Sequence, residues 1–357
     1  MPMIENPYNL ISEILEGISN RRIQDVIRRR FGLVNGQTQT LQEIGEQYGI
    51  TRERVRQIEE NGLDYLSGLE IQSKIKPVQQ QIHDYLKEHG ELRREEKVFD
   101  DLVCLCFPKS QLEQMRQKGD INLDLCRSSL NLVLTLADPF VKIAEDDYFH
   151  SLWTIDKDSI KKAKKTVDSA IKYFEKQPKV LKENELPEVI KKIFPGISDK
   201  AILSYIDASK AINQNSFGDF GLAHWPEISP RGVKDKAYLV FKKENRPLHF
   251  SEVTELINKS LPQNKPAYVQ TVHNELIKDP RFVLIGRGIY ALSEWGYNPG
   301  TVVEVIKQVL KEKGPLLKEE ILKNVLAKRL IKENTVLINL QNRKFFKRLE
   351  DGRFSIA

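Results

Sequence analysis

Cysteine is scarce in this chain, and its three copies form no pattern that would bind a metal or build a disulfide framework. Cys104, Cys106 and Cys126 are an odd number without a CxxC pair among 357 residues, whereas zinc sites and disulfide scaffolds need paired spacing. The six histidines make no HExxH motif. Cys104 and Cys106 lie in the apolar run LVCLCF, so we expect buried thiols, no metal and no cofactor, in a reducing cytoplasmic setting.

Long apolar runs and catalytic motifs are missing as well. No stretch approaches the roughly 18 apolar residues that a bilayer span needs, because the longest apolar-rich run, residues 130–137, contains Asn131 and Thr135. The amino terminus lacks the basic start and apolar core of a secretory signal. No phosphate-binding loop, nucleophile elbow or paired-carboxylate motif is present. We therefore expect a soluble protein that is not an enzyme and uses no membrane and no small-molecule substrate.

Charge of one sign is only slightly in excess. The 56 Lys and Arg against 50 Asp and Glu leave +6, which permits an anionic partner without requiring one. The excess is local: residues 20–58 carry eight arginines against four acids, and residues 298–357 carry thirteen basic residues against seven acids. These two segments are the candidates for phosphate binding.

An internal repeat organises most of the chain. The three tryptophans, Trp153, Trp225 and Trp295, stand 72 and 70 residues apart. Each closes a similar phrase, which runs from an aromatic residue through strand-prone residues and a Gly/Asp turn to a second strand. A fourth such phrase starts at Phe345. Because Gly and Asp allow the backbone of tight turns, each phrase predicts a β-hairpin.

The segment before each hairpin repeats too. A helical pattern stops at Gly90, Pro178, Pro247 and Gly314, and two further helical patterns follow each stop. Helix, short strand, two helices and hairpin is the order of a winged helix. The predicted units are 75–156, 157–229, 230–297 and 298–357. The predicted linkers are 73–77, 157–165, 226–232 and 298–300. Unrelated helical domains with chance aromatics are the alternative.

The first sixty residues differ from this repeat. Residues 40–60 read TLQEIGEQYGITRERVRQIEE and predict two helices around a tight turn. Thr40 and Glu43 have the spacing of a capping box. Gly49 is a typical helix stop, and Thr51 can cap the second helix. The predicted fold class is thus mainly α with small β-hairpins: a helix-turn-helix domain, then an array of about four winged-helix domains.

Each of these two helices has a predicted apolar face. Leu41, Ile44 and Tyr48 form the stripe of the first helix, and Gly45 beside them leaves room for another helix to approach. The second helix carries a polar face on its first two turns, the end that usually enters the major groove. That face presents Arg52, Glu53, Arg56 and Gln57.

The side-chain types of this face are those that read base edges. Arg binds guanine and Gln binds adenine in a fork, and Glu accepts from cytosine. The pattern therefore predicts a helix-turn-helix that binds double-stranded DNA. A solvated, ion-paired helix face is the alternative interpretation.

Residues 40–60, together with RRIQDVIRRRFGL at 21–33, resemble region four of the bacterial sigma factors, which reads an upstream promoter element. The resemblance implies that Arg52, Glu53, Arg56 and Gln57 read bases. It also implies that the start of the first helix touches phosphate, and it makes RNA polymerase a second partner. The backbone-contact set is Thr40, Leu41, Thr51 and Arg54.

The third unit resembles the HARE-type helix-turn-helix, a domain with a related form in the delta subunit of bacterial RNA polymerase. The resemblance rests on residues 247–249, Arg281-Phe282, and the wing from Gly288 to Trp295. We expect the wing aromatics to be core residues. If these units touch DNA, the contacts are the third helix and the wing tip. In the third unit these are Tyr268, His273, Asn274 and Arg287. In the last unit they are Asn339, Asn342, Arg343, Lys344 and the strand residue Arg348.

The sequence thus predicts a cytoplasmic, nucleoid-associated bacterial regulator of transcription that binds a promoter-type DNA element and contacts RNA polymerase. Two other functions stay open. One is a polymerase-associated or protein-interaction scaffold without base readout. The other is the DNA-targeting component of a restriction or repair system, for which this chain has no catalytic motif.

Overall fold

The computed structural model of the protein describes residues 5–260, 266–297, 300–328 and 332–357. It is mostly helical with small antiparallel sheets, which confirms the prediction of a mainly α protein with small β-hairpins. The chain divides into two compact units, Met1–Asn213 (unit 1) and Gln214–Ala357 (unit 2). No helix within the described ranges is long and apolar enough to cross a bilayer.

Four short helices open unit 1, and each begins at a residue whose side chain caps its first turn. The capping oxygen accepts from a backbone N–H that has no partner within the helix. The capping residues are Asn6, Asn20, Thr40 and Thr51. The helices are α1 (Pro7–Glu16), α2 (Arg21–Arg30), α3 (Leu41–Tyr48) and α4 (Arg52–Leu66).

The segment that we predicted as the first winged unit follows. Its three strands form one antiparallel sheet in the order β1-β3-β2, and the central Trp153 pairs with Arg93 on one side and Lys142 on the other. It contains three helices after its first strand, one more than predicted. The elements are α5 (Leu69–Glu88), β1 (Leu92–Arg94), α6 (Glu95–Cys106), α7 (Lys109–Lys118), α8 (Ile121–Leu136), β2 (Val141–Ile143) and β3 (Leu152–Thr154).

The linker predicted at 73–77 is wrong, because α5 continues through Pro77. A proline inside a helix costs about 3 kcal/mol. The buried residues Ile75 and Val78 on either side of it, and Ile82 one turn later, belong to the main core of unit 1. Burial of this apolar stripe outweighs the cost of the proline.

The next elements are α9 (Asp158–Lys176), β4 (Leu181–Lys182), α10 (Glu185–Ile193), α11 (Asp199–Ala208) and β5 (Ile212–Gln214). The linker predicted at 157–165 is also wrong, since α9 covers almost all of it. Ala163, Val167, Ala170 and Phe174 are fully buried. The lysines between them mask this apolar stripe in the sequence.

In each of the first two predicted winged units, the last helix before the hairpin packs inside unit 1. Helix α8 packs against α1 and contributes several residues to the core. Helix α11 packs on β1, where Ser204 Oγ donates to Leu92 O at 2.7 Å and Tyr205 OH donates to Gly90 O at 2.9 Å. These helices are therefore already partnered along the faces that make those contacts.

Unit 2 begins within β5 and contains two helix–hairpin segments. The first has an antiparallel sheet in the order β7-β9-β8. Gly288, at φ +70°, forms its hairpin turn, where a Cβ atom would lie 2.5 Å from His249 Nε2. Strand β6 (Asp219–Leu222) precedes this segment, whose elements are α12 (Gly232–Glu244), β7 (Leu248–His249), α13 (Phe250–Ser260), α14 (Val269–Lys278), β8 (Phe282–Gly286) and β9 (Ile289–Leu292).

The second segment ends in a two-stranded antiparallel hairpin, and Leu316 bridges to Phe354 beside it. Two parts of the sequence predictions lie outside the described residues. They are residues 298–299 of the predicted linker 298–300, and Arg329, one of the thirteen basic residues counted in 298–357. The elements are α15 (Val302–Lys313), α16 (Lys318–Lys328), α17 (Glu333–Leu340), β10 (Phe346–Arg348) and β11 (Phe354–Ile356).

The wing aromatics of the third predicted unit are core residues, as expected. Phe282 and Tyr290 are buried and Trp295 packs against the same cluster. The ring of Phe241 lies 5.4 Å from that of Phe282 and 6.2 Å from that of Trp295. The repetition of these aromatics in the sequence therefore reflects packing.

Arg281 links the hairpin of this segment to α12. Its Nη2 atom lies 2.8 Å from Asp235 Oδ1 and 2.6 Å from Asp279 Oδ2, and both carboxylate side chains are about 10% exposed. Hydrogen bonds from Arg281 lower the pKa of Asp279. Both acids would be left without their cation in the Arg281→Ala variant.

We expect Arg281→Ala to destabilise this segment by about 2 kcal/mol at pH 7, because two nearly buried charges lose their partner. A carboxyl with a lowered pKa stabilises the fold above its ordinary value of 3.8 and loses that contribution as the pH falls through the lowered pKa. The difference from wild type should therefore shrink on acidification below that value. Hydrogen exchange of α12 and β8 amides measures it, with exposed Arg287→Ala as control. Equal protection in both variants at pH 7 would contradict the prediction.

Candidate DNA interface

The start of α3 is closed by the predicted capping box. Thr40 N donates to Glu43 Oε2 at 2.6 Å, and Glu43 N donates to Thr40 Oγ1 at 3.2 Å. The hydrogen bond from the Thr40 backbone lowers the pKa of Glu43. The carboxylate therefore stays charged at neutral pH and fixes where α3 begins.

The turn between α3 and α4 depends on two glycines. Gly49 has φ +63°, the left-handed conformation predicted for the helix stop. Ile50 N donates to Gly45 O at 3.0 Å. A Cβ atom on Gly45 would lie 2.7 Å from Ile50 O and 3.5 Å from Arg52 N. Gly45 thus permits the close approach that we predicted, but what approaches it is the turn and the start of α4.

Helix α2 packs against α4 and fixes its position. A Cβ atom on Gly62 would lie 2.8 Å from Ile27 Cγ1, so the two helices touch where α4 has no side chain. Arg30 Nε contacts Glu59 Oε1 at 3.0 Å, and Arg30 Nη1 donates to Gln39 O at 2.6 Å. Arg30 therefore ties α2 both to α4 and to the segment that enters α3.

A second polar contact fixes the end of α3. The carboxylate of Asp25 accepts from Tyr48 OH and contacts Arg29 Nε at 2.5 Å. Burial alone would raise the pKa of Asp25, but the hydrogen bonds from Arg29 and Tyr48 outweigh it and lower that pKa. Sequence reasoning assigned Tyr48 to the apolar stripe and missed Asp25, which lies sixteen or more residues upstream of α3 and gave no local signal.

The four predicted base-reading residues all lie exposed on the first two turns of α4, and all but Arg52 have a partner on the same helix. Arg56 contacts Glu53 Oε1 at 2.6 Å and also bonds Glu60. The hydrogen bond from Arg56 lowers the pKa of Glu53.

Gln57 and Arg52 differ in whether they have a partner on the helix. Gln57 Oε1 accepts from Arg54 Nη1 at 3.0 Å. Arg52 makes no ion pair with any residue in the described ranges. The polar face of α4 is therefore partly self-paired, as the alternative interpretation expected, and Arg52 is its open cation.

The structure brings the predicted backbone-contact residues next to this face. One concave surface, which encloses a volume of about 520 Å³, is lined by Thr40, Leu41 and Arg52. It is completed by Arg30 and Gln42. The first amides of α3 point along the helix axis at its start, where N–H groups and the helix dipole favour an anion. Sequence reasoning missed Arg30 and Gln42, although Gln42, as the residue after Leu41 in the first turn of α3, could have been found.

The predicted contacts of unit 2 are mostly exposed. Arg287 lies at the tip of the β8–β9 hairpin, Arg343 and Lys344 follow α17, and Arg348 ends β10. A concave surface between α17 and the last hairpin encloses a volume of about 1140 Å³, and it is lined in part by Arg343 and Arg348. These cations therefore border a concave surface on the last segment.

The third helix of the HARE-like unit, α14, carries residues of different exposure. Tyr268 is 71% exposed, and Asn274 is exposed. His273 is half-buried and stacks on Phe250 with ring centroids 4.3 Å apart. His273 therefore packs within the unit, and the exposed candidates are Tyr268, which precedes α14, and Asn274 on it.

Neither the cysteines nor the acidic residues form a metal site in the described part of the chain, where no cluster of three or more His, Cys, Asp or Glu is found. Cys106 and Cys126 are buried, but Cys104 is exposed, contrary to expectation. Its sulfur accepts from Arg116 Nη2 at 3.4 Å. The position of Cys104 on α6 turns it away from the core that Cys106 enters.

Comparison with known proteins finds one family over part of the chain. Residues 20–67 match the model of Sigma-70, region 4. The RNA polymerase sigma factor SigA of a Bacillus species and that of Listeria monocytogenes are each 48% identical to this chain over 59 residues. The matched part is 16% of this chain and 16% of each relative, so the chain spans about a sixth of their length. The predicted similarity of the helix-turn-helix to sigma region four is confirmed for residues 20–67.

Proposed function

We propose that this protein is a regulator of transcription that binds double-stranded DNA and reads a promoter-type element with α4. The observation that carries the proposal is the exposed set of Arg52, Glu53, Arg56 and Gln57 on the first two turns of a braced second helix. Arg and Gln forks and a Glu acceptor can distinguish guanine, adenine and cytosine in the major groove. The match of residues 20–67 to sigma-70 region 4 supports the same function.

The concave surface beside Arg52 would set the register of the duplex. The amides at the start of α3 and the Thr40 hydroxyl can receive one phosphate, with Arg30 behind them. Thr51 and Arg54 would contact the backbone at the start of α4. Phosphate contacts of this kind position a protein on DNA, while the base contacts of α4 select the sequence.

When DNA binds, bases replace the hydrogen-bond partners that residues of α4 have within the helix. Arg56 leaves Glu53 and Glu60 when it meets guanine, and Gln57 leaves Arg54 when it meets adenine. The pairs are exposed and each contributes little to stability. The released Glu53 becomes free to accept from cytosine, so the self-pairing keeps the reading face ordered before DNA arrives.

The four helix–hairpin segments are proposed winged-helix domains with the boundaries 75–156, 157–229, 230–297 and 298–357, the third HARE-like. Because α8 and α11 are packed inside unit 1, we assign the DNA contacts expected of these helices and of the wing tips to unit 2, through Arg287, Arg343, Lys344 and Arg348. Weak contacts linked to α4 in one chain raise the overall affinity through effective concentration.

The basic residues of the last segment are expected to act on all sequences alike. The Lys344→Ala/Arg348→Ala variant should lower the slope of log K against log salt by about 0.9 for each phosphate that it no longer binds, hence by up to about 1.8. Titration of salt against a random-sequence duplex measures this. The control Lys311→Ala/Lys323→Ala removes two other exposed lysines of the same segment. A slope that does not change, or that changes equally in the control, would exclude Lys344 and Arg348 from the interface.

A role as an RNA polymerase-associated scaffold is the second candidate. Tyr268 at the N-cap of α14 and Ile277 within α14 are 71% and 63% exposed, and exposed apolar side chains suit a protein partner better than phosphate. Polymerase captured equally by wild type and by an Arg52/Arg56/Gln57 triple alanine variant, with no DNA shift by wild type at low salt, would favour the scaffold.

Selection of bound fragments from random duplexes, with and without RNA polymerase, tests the proposed function. We expect enrichment of a short element with a guanine and an adenine at fixed spacing, and a bacterial nucleoid location in cells. No enriched element under either condition would overturn base readout. Metal-dependent nicking of the bound DNA would instead point to the restriction or repair alternative.

A further inference from the structure

Helix α9 carries an exposed row of lysines opposite its buried face. Its residues Lys161, Lys165, Lys172 and Lys176 fall within an arc of about 60° at 100° per residue. The buried Ala163, Val167, Ala170 and Phe174 lie on the other side of the helix. We call these four lysines the lysine face of α9.

Most lysines of this face make no close ion pair, although Asp168 and Glu175 lie beside the face on the same helix. Lys161 contacts Asp158 at 2.8 Å, but Lys165, Lys172 and Lys176 have no ion pair with any residue that the structure covers. Residues 157–182 carry nine lysines against three acids. Lys161/Lys165 and Lys172/Lys176 are also like charges four residues apart, which destabilise a helix by a few tenths of a kcal/mol each. An external polyanion would remove that repulsion.

We propose that the lysine face of α9 is a sequence-independent binding surface for the phosphate backbone of double-stranded DNA. From Lys161 to Lys176 the face extends about 22 Å at 1.5 Å per residue. One DNA strand carries about six phosphates over that length. Lysine acts as a flexible point charge on phosphate, so neither an exact register nor a base sequence is required.

The burial of α9 favours DNA over an anionic membrane. A helix that binds a membrane surface inserts its apolar face between the lipids, but the apolar face of α9 is fully buried in unit 1. The side of α9 that remains outside is polar and mainly basic. The same compact unit also contains α4, the proposed base-reading helix. The surface goes beyond the proposed base readout and does not depend on it.

The test is salt titration of the full chain on a random-sequence duplex. The Lys165→Gln/Lys172→Gln/Lys176→Gln variant should reduce the slope of log K against log salt by about 2.7, since three phosphates are no longer neutralised. Wild type should accordingly lose roughly fortyfold more affinity than the variant between 50 and 200 mM salt. Glutamine keeps the helix propensity close to that of lysine, and an unchanged circular dichroism spectrum verifies the fold.

A matched control separates a local contact from the net charge. Lys87→Gln/Lys109→Gln/Lys118→Gln removes three exposed lysines from α5 and α7 of the same unit, which also have no ion pair within the described ranges. We expect its slope to stay near that of wild type. Equal slopes in the two triple variants would overturn the proposal, because total charge would then explain the loss.

Two further measurements distinguish this surface from α4 and from a membrane. The preference for a selected duplex over a random one should be unchanged in the α9 variant, since base readout belongs to α4. If the α9 variant loses binding to phosphatidylserine vesicles but keeps the wild-type DNA slope, the proposal is overturned in favour of a membrane surface.

Discussion

The Arg52→Ala/Gln57→Ala variant should lose about 3 kcal/mol of binding free energy on its selected element, roughly a hundredfold in affinity, and much less on random DNA. Each fork contact of an Arg or Gln with its base contributes about 1–3 kcal/mol of discrimination. Arg52 has no ion pair to lose within the described ranges, and Gln57 gives up only an exposed hydrogen bond with Arg54. The loss should therefore come from DNA contacts alone. Competition between selected and random duplexes measures it.

The matched control for this variant is Arg21→Ala/Gln37→Ala. It removes the same two residue types from exposed positions of the same domain. Arg21 begins α2 and Arg30 ends it at the concave surface, so the two lie about 13 Å apart along the helix. The control should keep the wild-type preference. If the Arg52/Gln57 variant binds every duplex more weakly by the same factor, these side chains act on the backbone and base readout by α4 is wrong.

The N-terminal domain could be predicted because its determinants are local. The capping box of Thr40 and Glu43, the left-handed Gly49 and the cap at Thr51 all act within four residues of their partners. The hairpins were predictable for the same reason, since a tight turn needs only its own residues. Interactions this short in sequence leave a pattern that can be read without knowing the fold.

The wrong linker predictions lie in segments whose secondary structure is determined by tertiary packing. Pro77 and the lysine-rich start of α9 suggested linkers, but both segments are helical because apolar stripes at their flanks are buried in unit 1. The packing of α11 on β1 joins residues more than a hundred positions apart, such as Ser204 and Leu92. No local pattern contains that information, so the sequence did not indicate that α8 and α11 are already partnered.

The candidate site shows the same division. The exposed face of α4 was predictable from helical periodicity, whereas the partners Glu60 and Arg54 that occupy it depend on side-chain geometry. Arg30 reaches the site from another helix and joins Glu59 and Gln39. Its position became clear only when α2 was placed behind α4. Periodicity therefore predicts which residues face outward, but not which of them are free.

Gly45→Val should open the turn between α3 and α4 and abolish sequence-selective binding. A Cβ atom at this position would lie 2.7 Å from the backbone oxygen of Ile50, and a backbone atom cannot move aside as a side chain can. Valine adds two methyl groups to that overlap. Overpacking of this kind costs about 3 kcal/mol, and here it displaces the start of α4, which carries Arg52. Amide protection in α3 and α4 should fall roughly a hundredfold in hydrogen exchange.

Gly49→Asn is the matched control, because it changes the other glycine of the same turn without creating an overlap. A Cβ atom on Gly49 would have no neighbouring atom within 4 Å, and asparagine tolerates its left-handed backbone at a cost below about 1 kcal/mol. This variant should keep its selected element and nearly all of its amide protection. If Gly45→Val behaves like Gly49→Asn in both measurements, the turn can absorb a side chain at position 45. Close approach at Gly45 would then not be what holds Arg52 in place for DNA.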